Sequence, residues 1–158
     1  MTRRSKKRVT ATRRRPGNIV KIPLGECHAY GRVLEEPDYA FYDICSQEDL
    51  SPEEIAKRST LFRVAVMKRA ETSGRWPIIG HAPLEPALRE PGRYYRQDAL
   101  DPRKLWIHVE GEEFPATREE CQRLERVAVW EPEHIEDRLR DHFAGRPNKW
   151  VESMRLRP

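Results

Sequence analysis

The sequence predicts an α+β fold: a small single domain with about six or seven short, mostly antiparallel strands and two or three short helices. Three observations point there. Short runs rich in Val, Ile, Tyr and Phe recur along the chain, each soon cut off by Pro, Gly or Asp. Two capping signals, Ser51-Pro-Glu-Glu54 and Thr117-Arg-Glu-Glu120, lie between such runs. One longer stretch, from Pro132 to Gly145, carries helical rather than strand periodicity.

In chain order, NIVKIPL from Asn18 reads as a strand closed by Pro23 and Gly25, with Val20, Ile22 and Leu24 on one face and Ile19, Lys21 and Pro23 on the other. HAYGRVL and YAFYDIC follow as two more strands, with Glu35-Glu36-Pro37-Asp38 as the turn between them. Ser51 can cap a short helix through about Arg58, since Pro52 fits its first position and Glu54 can reach back to the cap. LFRVAVMKRA alternates Phe62, Val64 and Val66 against Leu61, Arg63, Ala65 and Met67, as a half-buried or buried strand does. GRWPIIG (74–80) reads as a strand interrupted by Pro77, so an edge or a bulge. Residues 85–102 are Pro-rich and read as irregular. LWIHVEGEEFPAT (105–117) reads as a hairpin around Gly111, Thr117 opens a short helix, and residues 126–130 look like a last strand. Pro132 starts the final helix, with Ile135, Leu139 and Phe143 one turn apart on an inward face and Gly145 at its stop. Trp76 and Trp130 are expected in the core; Trp106 fits core or near-core, and Trp150 is undecided.

The net charge of +4 hides a split. Residues 1–15 carry eight Arg or Lys and no acid, which leaves 22 basic and 26 acidic residues in 16–158. Residues 1–16 therefore read as a basic, disordered arm at +8, ahead of a domain at 17–158 with net charge −4. The arm suits attraction to nucleic acid or an anionic surface; a solvated tail or a mis-assigned start codon explains it equally. No apolar run approaches the roughly 20 residues that span a bilayer, and no apolar segment follows the basic N-terminus as in a secretory signal. Cys27, Cys45 and Cys121 are odd in number and lack CxxC spacing, so reduced thiols in a cytoplasmic protein are expected.

Searches for chemistry come up short. His134 and His142 lie two helical turns apart, too far to bind one metal, and HExxH is absent. Neither GxSxG nor a glycine-rich phosphate loop is present. Cys27 and His28 are adjacent in sequence, which does not set a thiol against an imidazole. Glu112 and Glu113 would serve acid–base work only in a cleft with shifted pKa values. No metal and no cofactor is expected. The acids Glu35, Glu36 and Asp38, then Glu110, Glu112 and Glu113, lie in predicted turns where side chains are exposed. Singly, such clusters are commonest as solvated faces. Together, on a body of net −4, they suggest a partner with a positive surface, and Trp150, if exposed, is a natural anchor beside them.

The order of five stretches resembles the immunity protein 26 family of bacterial polymorphic toxin systems. They are GNIVKIPLGECHAYGRVL, YAFYDI, LFRVAVM, GRWPIIGHAPLE and LERVAVWEPEHIEDRLRDHFAGRPNKW, from Gly17 to Trp150. The resemblance implies a small intracellular α+β protein that binds a toxin domain made by the same cell and neutralises it, with no catalytic residues. It leaves the basic arm unexplained. Where the toxin is a nuclease, acids in the 35–38 and 110–113 turns would mimic phosphates. A second reading stays open: a nucleic-acid-binding module in which residues 1–15 engage phosphates and Tyr30, Tyr39 or Phe41 stacks bases. An enzyme would need His28, His81 or His108 to converge with acids.

Overall fold

The computed structural model describes residues 13–158. The elements in chain order are β1 (Asn18–Pro23), β2 (His28–Val33), β3 (Asp38–Tyr42), α1 (Pro52–Ala56), β4 (Thr60–Val66), α2 (Arg69–Thr72), β5 (Ile78–His81) and α3 (Pro86–Arg89), then β6 (Arg93–Gln97), β7 (Leu105–Val109), β8 (Glu112–Pro115), α4 (Arg118–Gln122), β9 (Glu125–Arg126), β10 (Val129–Trp130), α5 (Pro132–Phe143) and α6 (Lys149–Ser153). The class is the one expected, an α+β domain with mostly antiparallel strands, but its strands form two sheets. One has the order β10-β4-β3-β2-β1-β5 and the other β8-β7-β6-β9. Only the short outer pairings, β10 with β4 and β6 with β9, are parallel.

Both capping boxes form. Ser51 accepts from the Glu54 amide and Thr117 from the Glu120 amide, and each glutamate reaches back to the cap. The α1 helix ends at Ala56 rather than Arg58. β5 is an edge strand, and its pairing with β1 shifts register between Ile19 and Val20, as Pro77 implied.

Three expectations need correction. Residues 93–97 are not irregular: they form β6, the strand to which β7 and β9 both pair. Residues 126–130 are not one strand. Glu125–Arg126 closes the smaller sheet and Val129–Trp130 closes the larger, so one short segment joins the two. Cys27 and Cys45 are not free thiols: they form a disulfide with Cα atoms 5.9 Å apart, tying the β1–β2 turn to the segment after β3. Only Cys121 stays free; it is fully buried, and burial pushes its thiol pKa up, helped by Glu120.

The main core lies between one face of the larger sheet and α5. Val20, Ile22, Phe41 and Val64 pack there with Trp76, Trp130, Ile135 and Leu139. Phe143 lines the rim of this cluster, so the spacing of Ile135, Leu139 and Phe143 reads out as one buried stripe. A smaller cluster on the opposite face joins Ile19, Tyr30 and Tyr42 to Ile55 of α1. Two buried charges brace these layers. Glu136 accepts from the Trp76 indole at 3.0 Å and from Arg75 Nε and Nη2 at 2.6 and 2.8 Å. Arg32 is fully buried and donates to the carbonyls of Gly17 (3.0 Å), Ala82 and Pro83 (both 2.6 Å) and to the Tyr42 hydroxyl (2.8 Å). A buried charge is tolerated when its donors are spent in this way.

The expected disorder of the basic arm falls on residues 1–12, outside the described residues. Its placed end belongs to the fold. Arg14 lies over the Tyr39 ring at 5.1 Å, donates to the Asp38 carbonyl at 2.7 Å and sits 3.6 Å from Glu71.

Candidate functional site: an acidic cleft where the two sheets meet

The two acidic turns, more than seventy residues apart in sequence, open onto one cleft. Its volume is about 680 Å³, and its wall includes Glu35, Glu36, Asp38, Tyr94, His108 and Glu110. The strand pairing explains the meeting. On the larger sheet Asp38 pairs with Ala65, and Ala65 with Val129, so these three form a row across β3, β4 and β10. On the smaller sheet His108 pairs with Tyr94 across β7 and β6. The Tyr94 hydroxyl then donates to Asp38 Oδ2 at 2.6 Å, stitching one row to the other. Arg63 Nε donates to the same oxygen at 2.9 Å. Gly92 packs against this junction: a Cβ there would lie 2.4 Å from Asp38 Oδ2 and 2.6 Å from the Tyr94 hydroxyl, so only glycine fits. Burial first, and the Asp38 carboxylate second, push the Tyr94 phenol well above its ordinary pKa and keep it a donor.

This places the predicted contact residues unevenly. Asp38 is 6% exposed and committed to Arg63 and Tyr94, so it is a brace and not the exposed turn acid expected from its surroundings. Glu113 is gripped by Arg96 through three hydrogen bonds of 2.8–3.0 Å, which holds its carboxyl below the usual range, the opposite of what a general acid requires. Trp150 is outside the cleft. It is half-buried, stacked on His134 with ring centroids 3.6 Å apart, and its indole donates to Asp137 at 3.2 Å. Glu113 is exposed all the same, and Glu35, Glu36, Glu110 and Glu112 are the exposed acids that no arginine among the described residues holds. Of these only Glu36 has a salt-bridge partner among the described residues, Lys68 at 3.2 Å, and both side chains are largely in water.

Glu110 stands out on backbone grounds. It and Gly111 form the two-residue turn between β7 and β8, since Val109 pairs with Glu112. Both turn residues have positive φ, 49° at Glu110 and 78° at Gly111. A turn of this kind favours Asn, Asp or Gly at its first position. A glutamate there costs about 1–2 kcal/mol in crowding of its Cβ. An exposed carboxylate held at a backbone cost, on the rim of a cleft, is what a binding role would maintain. The sequence carries the signal, a Glu-Gly pair where Asn-Gly is usual.

The alternatives weighed from sequence fare differently. Tyr30, Tyr39 and Phe41 are at most 3% exposed, so none can stack a base; that part of the nucleic-acid reading is overturned. His28, His81 and His108 share no cavity: His28 bonds Tyr30 (2.8 Å), His81 bonds Asn18 (3.2 Å) at the β5 edge, and His108 alone faces the cleft. Cys27 is in the disulfide. Among the described residues no group of three His, Cys, Asp or Glu side chains could hold a metal ion, and no helix is long and apolar enough to cross a membrane.

The described residues thus build an α+β domain with an acidic cleft at the seam of its two sheets. The chain belongs to the immunity protein 26 family, whose match covers residues 15–106, more than half of its length. The match takes in the Glu35–Asp38 turn and ends in β7, before Glu110. Of the five stretches that carry the resemblance, the last, from Leu124 to Trp150, lies beyond the matched residues. No curated protein and no solved structure matches the chain.

Proposed function

We propose that this protein binds a cognate toxin domain and neutralises it by covering the toxin's active site or the approach to it. Family membership supplies the class of function. The single structural observation that carries the contact surface is the convergence of the 35–38 and 110–111 turns on one cleft, with exposed Glu112 next to it in sequence. Glu35, Glu36, Glu110 and Glu112 then meet a cationic toxin surface. A nuclease whose substrate groove binds phosphate is the toxin type this charge fits best. A standard interface would bury on the order of 1,600 Å² in total, so the cleft is its centre and not its whole extent. Asp38 contributes by holding the cleft's wall, Glu113 by tying β8 to β6, and Trp150 by fixing α6 to α5.

Action in the cytoplasm suits a protein that shields its own cell. The Cys27–Cys45 disulfide speaks for an oxidising compartment instead. Alkylating the thiols in intact cells before lysis, then weighing the protein, separates the two: two blocked cysteines more than the oxidised form carries places the working protein in a reducing compartment.

The test of the function is co-expression. The C-terminal domain encoded beside this gene is produced alone in a host, with and without the full chain, and the complex is purified. Restored growth with co-purification is expected. A toxic neighbour that this protein neither binds nor neutralises would overturn the proposal. The full chain is required, because truncation at residue 16 would remove Arg14 from its seat on Tyr39 and Asp38.

A further inference from the structure

A second, apolar depression continues from the acidic cleft. It is about 290 Å³, shares Pro37, Asp38, Tyr94 and His108 with the cleft, and is otherwise lined by Ala65, Val127, Ala128 and Val129. Val129 is 53% exposed, one of few large hydrophobic side chains so open to water. It stands at the end of the Asp38–Ala65–Val129 row, on an edge strand only two residues long. The two depressions thus form one groove along the seam of the sheets, with an apolar end and an acidic end.

We infer that this groove is the primary docking site for a single short segment of the toxin, carrying an aliphatic side chain over Val129 and Ala65 and lysine or arginine side chains toward Glu35, Glu36 and Glu110. This rests on the immunity reading and adds to it which partner chemistry is recognised and where. Charge decides the occupant. The acidic end holds four carboxylates, Glu35, Glu36, Asp38 and Glu110, against Arg63 and Arg89. Both arginines are already engaged: Arg63 with Asp38 and the Glu90 carbonyl at 2.8 Å, Arg89 with the Leu84 carbonyl at 2.9 Å. The carboxylates of Glu35 and Glu110 have no such engagement among the described residues. At the junction of the two ends stands His108, which lines both, with its buried Nδ1 turned to Glu113 at 3.6 Å. An exposed apolar anchor beside uncommitted charge is the anatomy of an interface centre, where the anchor sets dissociation and the charges set approach and orientation.

The experiment is hydrogen–deuterium exchange on the full chain, free and bound to the toxin domain encoded beside its gene, with two variants of matched charge. Val129→Asp adds a negative charge in the groove. Leu100→Asp adds one at a side chain 94% exposed in the β6–β7 connection. The expected result is protection on binding at 35–38, 108–111 and 127–129, with affinity falling at least tenfold for Val129→Asp and less than twofold for Leu100→Asp. The melting temperature of each variant reports whether it is folded. A complex that protects none of these segments, or Val129→Asp binding like Leu100→Asp, overturns the groove and leaves the immunity reading standing. Absence of any complex overturns both. Protection of the groove in the free chain that disappears when residues 1–12 are deleted shows the chain's own basic arm to be the occupant, and also overturns it.

Discussion

Replacing Glu110 by Asn should make the protein more stable and a weaker binder at once. The backbone at Glu110 has φ +49°, next to Gly111 at +78°. The left-handed region costs a residue with a full side chain about 1–2 kcal/mol, and Asn escapes much of that by bonding its amide locally. Asn-Gly is the preferred pair for this two-residue turn, so Glu110→Asn should gain about 0.5–1.5 kcal/mol. For a domain of this size that raises the melting temperature by roughly 2–5 °C. The same change removes a carboxylate from the cleft rim, which should slow association with a cationic partner by about threefold or more at low salt. Glu110→Gln separates the two effects, because it loses the charge and keeps the strained backbone: its stability should stay within about 0.5 kcal/mol of the parent while association slows to the same degree. Thermal unfolding and stopped-flow binding read both quantities. A Glu110→Asn protein that is no more stable, or that binds as fast as the parent, would refute the argument that strain is retained here for the charge.

Four further outcomes follow from the same structure. Asp38→Asn removes the negative charge that strengthens the hydrogen bonds from Arg63 and Tyr94 and leaves only an amide oxygen to accept them; stability should fall by about 1–3 kcal/mol in a urea titration, and a cycle with Tyr94→Phe should show coupling above about 0.5 kcal/mol. Arg32→Met leaves the Ala82 and Pro83 carbonyls without their Arg32 donor and should cost about 3–5 kcal/mol, or prevent folding, by the same assay. Simultaneous Glu35, Glu36, Glu110 and Glu112→Gln should slow association by roughly tenfold and flatten its salt dependence, with unchanged kinetics counting against electrostatic steering. Glu133 is held down to about 2 by its hydrogen bonds from Arg69, then by its own backbone amide. A carboxyl with a lowered folded-state pKa stabilises fully above its unfolded value and loses that contribution as pH falls toward the folded one, so stability should decline between about pH 4.5 and 2, and Glu133→Gln should reduce the slope there.

Much of the architecture was legible because it is local. Capping boxes, the hairpin at 105–117, the alternation in β1 and β4 and the helical stripe of Ile135, Leu139 and Phe143 are each set by residues within a few positions of one another. The missed elements depend on distant ones. In β6 both Tyr94 and Tyr95 are buried, one on each face, so RYYRQ shows no alternation and its Pro-Gly entry suggests a loop. The split of 125–130 between two sheets cannot be read from a single apolar run, because two separate partner strands define it. The disulfide depends on the β1–β2 turn meeting the segment after β3, which spacing between Cys27 and Cys45 does not reveal. Each acidic turn was visible in the sequence, yet their meeting was not, since it is made by the seam of two sheets. The burial of Asp38 is hidden from the sequence for the same reason: it follows a turn but begins β3, where Arg63 and Tyr94 enclose it.

Neutralisation of a toxin by stoichiometric binding can be read on the toxin itself. The most direct measurement is the activity of the purified toxin domain on its own substrate, titrated with the full chain and, in parallel, with the variant in which Glu35, Glu36, Glu110 and Glu112 are glutamine. Inhibition should saturate at a fixed molar ratio with the parent chain and be weaker and salt-insensitive with the variant. Full toxin activity at saturating excess of the parent chain would contradict it.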